Sequence, residues 1–211
     1  MNITYRTATK DDYKEIETLV GKAWFDDYEF SNRVKKLYRI GYTASYLAES
    51  NYKMVAMCDG KVVGFLLGRY KRVGFFKALP FKLKMLAVGF NLLFTRPGRR
   101  GLKITRITNK TNINLVKQTK TKLESELCLF VVDEDYRNYH IGSTLHKMYL
   151  DFLVENKIRN NYLYTDTYSD YFYYERRGYK RMGELVVDFK IKDEVENPLP
   201  IYYIYVKNLE E

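Results

Sequence analysis

Residues 126–145 read ELCLFVVDEDYRNYHIGSTL, and the organisation of the chain follows from this stretch. After Glu126, the run from Leu127 to Val132 is uninterruptedly apolar, as expected of a central strand covered on both faces. Asp133 to Ile141 forms a polar turn. From Gly142 onward, Leu145, Met148, Tyr149, Phe152 and Leu153 recur at the spacing of one helix face. The first amides of such a helix have no intrahelical acceptor, and its dipole end is positive, so the turn suits a diphosphate. Gly142 lets an oxygen approach without a Cβ in the way. Arg137 can add a charge-assisted contact, and Ser143 and Thr144 can add hydroxyls. The stretch therefore suggests a cofactor with a nucleotide tail.

Toward the C-terminus, Asn161 to Thr167 reads as a strand that completes a βαβ unit with parallel strands. Ser169 to Arg177 fits a short helix closed by Gly178, and Tyr179 to Ile191 and Ile201 to Lys207 read as strands flanking a charged turn with Pro198 and Pro200. Toward the N-terminus, residues 3–8 alternate as a strand, and Thr9, Asp11 and Asp12 open a helix through Trp24. A second helix is expected over about Phe30 to Leu47. Residues 52–69 are the clearest hairpin, with two β-prone runs meeting at Asp59-Gly60. Gly64 and Gly68 mark bulges or close packing in its second strand.

Residues 71–125 break this rhythm, being too long for an ordinary loop. The segment holds 14 Lys and Arg against one acid, Glu124, a net of +13, while the remainder of the chain carries −3 of the total +10. Leu79 to Phe94 reads as an apolar helix started at Pro80 and stopped at Pro97-Gly98. It is expected to pack on the body with its lysines in water, to cover a substrate pocket, or to lie in a membrane interface. Residues 103–122 read as an exposed hairpin or mobile loop. Nucleic acid is disfavoured as a partner because bases need stacking surfaces and residues 103–122 are poor in aromatic residues.

The length of 211 residues fits one elaborated domain. Neither a secretory leader nor an apolar run of about 18 residues is present, which suggests a cytoplasmic protein. Cys58 and Cys128 lack any paired spacing and are expected to be buried free thiols, with no metal site.

Two separated motifs resemble the GCN5-related N-acetyltransferase (GNAT) family across nearly the whole chain outside 71–125. Val132 to Gly142 is similar to its acetyl-CoA loop, in which Arg or Gln is followed at three and five residues by Gly and then Gly or Ala; His140 stands at the first Gly position. A Cβ there crowds the turn or demands a rarer backbone geometry. Tyr173 to Tyr179, YYERRGY, is similar to the second signature. The resemblance implies a single α/β domain over residues 1–211, with a mixed, mostly antiparallel sheet flanked by helices. Its two central parallel strands splay apart to admit the pantetheine arm beside Phe130, Val131 and Val132, and residues 71–125 are an insertion between the third and fourth strands.

It further implies an acetyl-CoA-dependent N-acetyltransferase acting on a primary amine of a small molecule or peptide. Arg137, Asn138, Tyr139, His140, Ile141, Gly142, Ser143 and Thr144 would hold the cofactor, and a β-strand amide near Phe130 or Val132 would meet the thioester carbonyl. Tyr174 matches the Tyr that faces the sulfur, and Glu126, eleven residues before Arg137, matches the base of the histone-acetylating branch. Asp170 is expected to cap a helix, while His140 and His146 are not expected to act as bases. The departure at His140 motivates an alternative, a non-catalytic acyl-CoA-binding or regulatory protein. The basic insertion motivates another, a core that docks on acidic membrane or nucleic acid.

Overall fold

The apolar run at the centre of the sequence is β4, Ser125–Val132, and it lies in the middle of a seven-stranded sheet. The structure is a computed structural model that describes residues 2–189 and 199–210. The turn expected at Pro198 and the end of the strand expected to reach Ile191 lie outside the described residues. The other strands are β1 (Ile3–Thr7), β2 (Tyr52–Cys58), β3 (Lys61–Arg69), β5 (Asn160–Asp166), β6 (Lys180–Val186) and β7 (Ile201–Asn208). Their order is β1-β2-β3-β4-β5-β7-β6, antiparallel throughout except for β4 and β5.

The β2–β3 hairpin turns at Asp59 and Gly60, both at positive φ (49° and 77°), the geometry that matches the twist of two-residue hairpins. Gly68 sits at a register shift against β4, where a Cβ would overlap the Tyr149 ring, so close packing and a bulge coincide there. The same shift leaves Cys128 without a partner in β3, since Leu67 pairs with Leu129 and Gly68 with Leu127.

Helices α1 (Tyr13–Trp24) and α2 (Asn32–Glu49) cover one face of the sheet, where Ile16, Val20, Leu47, Phe65, Leu67 and Leu129 are buried together. Helix α5 (Ile141–Glu155) covers the other, its Leu145, Tyr149 and Leu153 packed with Leu66, Leu127 and Leu163. Alternation along each strand divides its side chains between these two cores.

Between β3 and β4 the chain forms two further helices, α3 (Phe75–Leu93) and α4 (Arg96–Gln118). Three expectations are corrected here. Helix α3 begins at Phe75, so Pro80 lies inside it, where it removes one backbone bond on an exposed side. Pro97-Gly98 starts α4 rather than stopping α3, with the Thr95 hydroxyl accepting from the Gly98 amide at 3.0 Å. Residues 103–118 are thus helical rather than a hairpin or loop. Tertiary packing overrides their β-branched composition, because Leu115 is fully buried against Tyr162, Ile204 and Val206. Helix α3 packs tightly on α2, with Val88 filling the space a Cβ at Gly41 would occupy.

Candidate active site

The parallel strands β4 and β5 are paired only at Ser125↔Asn161 and Glu126↔Tyr162, and beyond those residues they separate into a slot. A buried network pins the paired end. Asn161 Nδ2 donates to the Ser125 carbonyl (3.2 Å) and hydroxyl (3.0 Å), while its Oδ1 accepts from the Tyr179 hydroxyl at 2.6 Å. The Tyr149 hydroxyl, from α5, donates to the Glu126 carbonyl at 2.8 Å. Buried polar groups held this completely fix the strand ends, and they leave the opening of the sheet to the residues beyond.

At the open end, a single 3₁₀ turn, Glu134–Tyr136, leads into α5, and Lys22 ties it to α1 by donating to Asp133 at 2.8 Å. Asn138 (φ 69°) and His140 (φ 58°) are left-handed, so His140 meets the demand of its position by a rarer backbone geometry, with its side chain exposed. The amides of residues 138–143 find no acceptor among the described residues, whereas the Thr144 amide bonds the His140 carbonyl at 2.9 Å. The Ser143 hydroxyl is likewise spent within the turn, donating to the same carbonyl at 2.8 Å. Arg137 and Tyr139 are exposed beside these amides, and Ile141 is a core residue that offers only its backbone.

Phe130 and Val132 lie beneath the turn. A Cβ on Gly142 would stand 3.2 Å from Phe130 Cζ and 3.5 Å from Val132 Cγ2. Val131 belongs to the opposite core, with α1 and α2, so only two of the three expected slot residues face α5. The Tyr173 hydroxyl is buried without a partner among the described residues, 3.8 Å from the same Gly142 position, and the Arg177 guanidinium lies 3.5 Å over its ring. An orphaned donor beside a row of free amides suits a phosphate-bearing ligand.

Helix α6 (Phe172–Glu175) carries Tyr174 to the α5 face of the slot, edge-on to His146, Tyr173 and Tyr179. Tyr174 is half-buried, its hydroxyl has no partner among the described residues, and burial raises its pKa, so the phenol keeps its proton. The Asp170 carboxylate accepts from the Tyr173 amide at 3.2 Å, the capping role expected of it, and Gly178 closes the helix at φ 80°. His146 is buried, with Nε2 3.0 Å from the Tyr179 hydroxyl; burial, then Arg177 and Lys207, lowers its pKa to about 4. Since the Tyr179 proton goes to Asn161, the neutral imidazole donates from Nε2, a packed and satisfied core histidine.

Glu126 lies on the opposite face of the sheet. It occupies the middle of a row across three strands, Arg69↔Glu126↔Tyr162, set by the register on either side. Arg69 Nη2 pairs with Glu126 Oε2, and the Tyr162 hydroxyl donates to the same oxygen at 2.8 Å. The other oxygen, Oε1, has no partner among the described residues. Burial raises the Glu126 pKa despite the opposing pull of Arg69. Glu126, which the family resemblance marks as a base, is thus buried and paired on β4.

A cleft of about 500 Å³ opens onto this row, lined by Glu49, Arg69, Lys71, Arg72 and Glu124 together with Ala78 and Lys82 of α3. Sequence reasoning missed Arg69 and Tyr162. Their signal was the strand register, which is set across the α3–α4 segment and across α5. Among the described residues no cluster of His, Cys, Asp and Glu could hold a metal, and both cysteines are free thiols.

A sheet opened between parallel strands, with an amide-lined turn at the wide end and a cleft on the far face, defines an acyltransferase fold. The chain belongs to the acetyltransferase (GNAT) family, whose model matches residues 13–179. Similar solved structures include SsHAT (14% identity, 100% of each chain, TM-score 0.67) and the Drosophila melanogaster polyamine N-acetyltransferase (13% identity, 98% of this chain and 100% of that one, TM-score 0.57). The NatC complex bound to Gag peptide and CoA is also similar (12% identity, 99% of each chain, TM-score 0.53). At these identities the likeness is one of fold. No curated protein matches the chain by sequence.

Proposed function

We propose that the protein is a single-domain, acetyl-CoA-dependent N-acetyltransferase acting on a primary amine of a small molecule or peptide. The observation that carries this reading is the slot between β4 and β5, flanked at its wide end by the free amides of residues 138–143. Those amides, with Arg137 and the Tyr173 hydroxyl, would hold the diphosphate, and Phe130 and Val132 would line the arm. Acetyl-CoA supplies the acetyl group as a thioester. Glu126, through the free Oε1, takes the proton of the amine in the cleft, directly or through water; Arg69 and Tyr162 hold the carboxylate still while it does so. An amide of β4 beyond the paired end polarises the carbonyl oxygen, and the Tyr174 phenol gives its proton to the departing sulfur. Burial keeps the Tyr174 phenol protonated, and the same burial raises the pKa of the leaving thiol, which is what allows the proton to pass to the sulfur.

The reading is tested by calorimetric titration with acetyl-CoA, followed by thiol release across a panel of polyamines, amino acids and peptides. Saturable binding and amine-dependent thiol release are expected. Absence of binding at millimolar acetyl-CoA would overturn the proposal, and binding without release for any amine would favour a non-catalytic acyl-CoA-binding protein.

A further inference from the structure

Helix α3 presents two unlike faces. Ala78, Val88 and Leu92 are buried beneath it, fastening it to the body. Along the outer side, Phe76 (85% exposed), Leu83 (57%), Leu86 (70%), Phe90 (63%) and Phe94 (72%), the last just past the helix end, stand in solvent. Their spacing of 7, 3, 4 and 4 residues is that of a continuous stripe. This concentration is unusual even within this molecule. Eight of its 19 exposed large apolar side chains, among the described residues, lie between Phe75 and Phe94. Single exposed apolar residues need no explanation, whereas a contiguous row of large ones marks a surface that is covered in use.

The charge around the stripe identifies the cover. Residues 71–100 hold eight Lys and Arg and no acid. Lys77 follows Phe76 and is exposed, and Arg99 reaches back to the Leu93 carbonyl at 3.0 Å, beside Phe94, whereas Lys82 turns toward the cleft and Lys84 pairs with Glu17 of α1. Long cationic stems beside an apolar row can bury their methylenes and keep their charges at a boundary. A second copy of the chain would bring two such positive segments together, which opposes association through this face. Nucleic acid would satisfy the cations and find rings at Phe76, Phe90 and Phe94, but Leu83 and Leu86 at the middle of the stripe give bases nothing to stack on, whereas hydrocarbon covers all five. No helix among the described residues is long and apolar enough to cross a membrane. An anionic lipid leaflet offers both hydrocarbon for the stripe and negative headgroups for its rim.

We infer that the outer face of α3 is a docking surface for an anionic membrane leaflet, with the helix lying in the interface and its phenylalanines and leucines inserted among the acyl chains. The inner side of the same helix lines the cleft through Ala78 and Lys82, so docking holds the cleft side of the molecule against the lipid surface. The inference stands on exposure and charge and is independent of the reaction.

The test is flotation of the full chain with vesicles of phosphatidylcholine alone or with about one third phosphatidylserine, in low and in high salt. Binding at least about tenfold stronger to the anionic vesicles and weakened by salt is expected. It should fall about tenfold or more in the Leu86→Asp/Phe90→Asp variant, while circular dichroism and thermal unfolding remain as in the parent. If that variant does not fold, Phe76→Trp replaces it, and the emission gained over the parent should shift to the blue on anionic vesicles. No flotation with either vesicle, equal flotation of the double variant, or unshifted emission from the Phe76→Trp variant would overturn the inference. So would sedimentation showing that the parent self-associates and the double variant does not, because the stripe would then join two copies.

Discussion

The two sides of the β4–β5 slot are assembled over different distances along the chain. On the α5 side, the amides of residues 138–143, the floor of Phe130 and Val132, and Tyr173 and Tyr174 come from two short segments, each with its own turn and cap. On the cleft side, Glu49, Arg69, Lys82, Glu126 and Tyr162 come from five separate elements, α2, β3, α3, β4 and β5. The first side is thus fixed largely by local backbone geometry, and the second by strand register and helix docking. Changes on the α5 side should therefore act on acetyl-CoA, and changes in the cleft should act on the acceptor.

The largest expected effect is on proton donation. Tyr174→Phe should lower kcat by about 10²–10⁴-fold while leaving the acetyl-CoA Kd within about twofold, as measured by thiol release and calorimetry. An unchanged kcat would remove the acid role from this tyrosine. Glu126→Gln should lower the rate by about 10²-fold near neutral pH, with the deficit narrowing as pH rises and the amine loses its proton without help. A deficit independent of pH would instead mark Glu126 as a residue that only positions the row.

Next in size is a stability effect peculiar to the α5 side. His146 has a folded pKa of about 4, below its usual 6.5, so between those values the unfolded chain binds the extra proton. Stability should then fall as pH drops from about 6.5 to about 4, by up to about 3 kcal/mol from this group, and His146→Phe should flatten that part of the denaturant-midpoint profile. Asp12, held down to about 2 by its hydrogen bonds with Arg6 and its partners at Thr9, contributes in a separate window, with stability lost as pH falls from about 4 toward 2.

Gly142→Val should crowd Phe130 and Val132 and raise the acetyl-CoA Kd by about 10-fold to 100-fold, with the acceptor KM unaffected. If the acceptor KM moved equally, the division between the two sides would fail. The smallest effect is expected at His140. Its left-handed conformation is easier for glycine, so His140→Gly should change unfolding free energy by about 1 kcal/mol or less in the stabilising direction. A marked loss of acetyl-CoA affinity in that variant would show that the imidazole itself contacts the ligand.

The elements legible from the sequence were those governed by short-range rules. The hairpin at Asp59-Gly60 follows from the positive φ that its turn requires, and the strand, turn and helix of residues 126–145 follow from hydrophobic period and helix-end chemistry. In the α3–α4 segment the start of α3, the role of Pro97-Gly98 and the helical state of residues 103–118 were not legible. Pro97-Gly98 fits the start of a helix as well as the end of one, and the neighbouring Thr95 decides between them only when its hydroxyl is seen on the Gly98 amide. The stripe through Ile104, Ile107, Thr108, Thr111 and Leu115 has helical period, but four of its five residues are β-branched, and their weak helix propensity is outweighed only by packing on β5 and β7.

By itself the sequence pointed to a turn suited to phosphate, to Tyr174 within one recognisable motif and to Glu126 eleven residues before the Arg137 of the other. It also concentrated the positive charge in residues 71–125. Only the tertiary structure decided that Arg69 and Tyr162 flank Glu126, that β4 and β5 part beyond their first pairs, and that α3 turns Phe76, Leu83, Leu86 and Phe90 outward. The physical reason is range. Caps, turns and periodicity are settled by residues a few positions apart, whereas register and packing join segments separated by whole helices, where the chain carries no local mark of its partner.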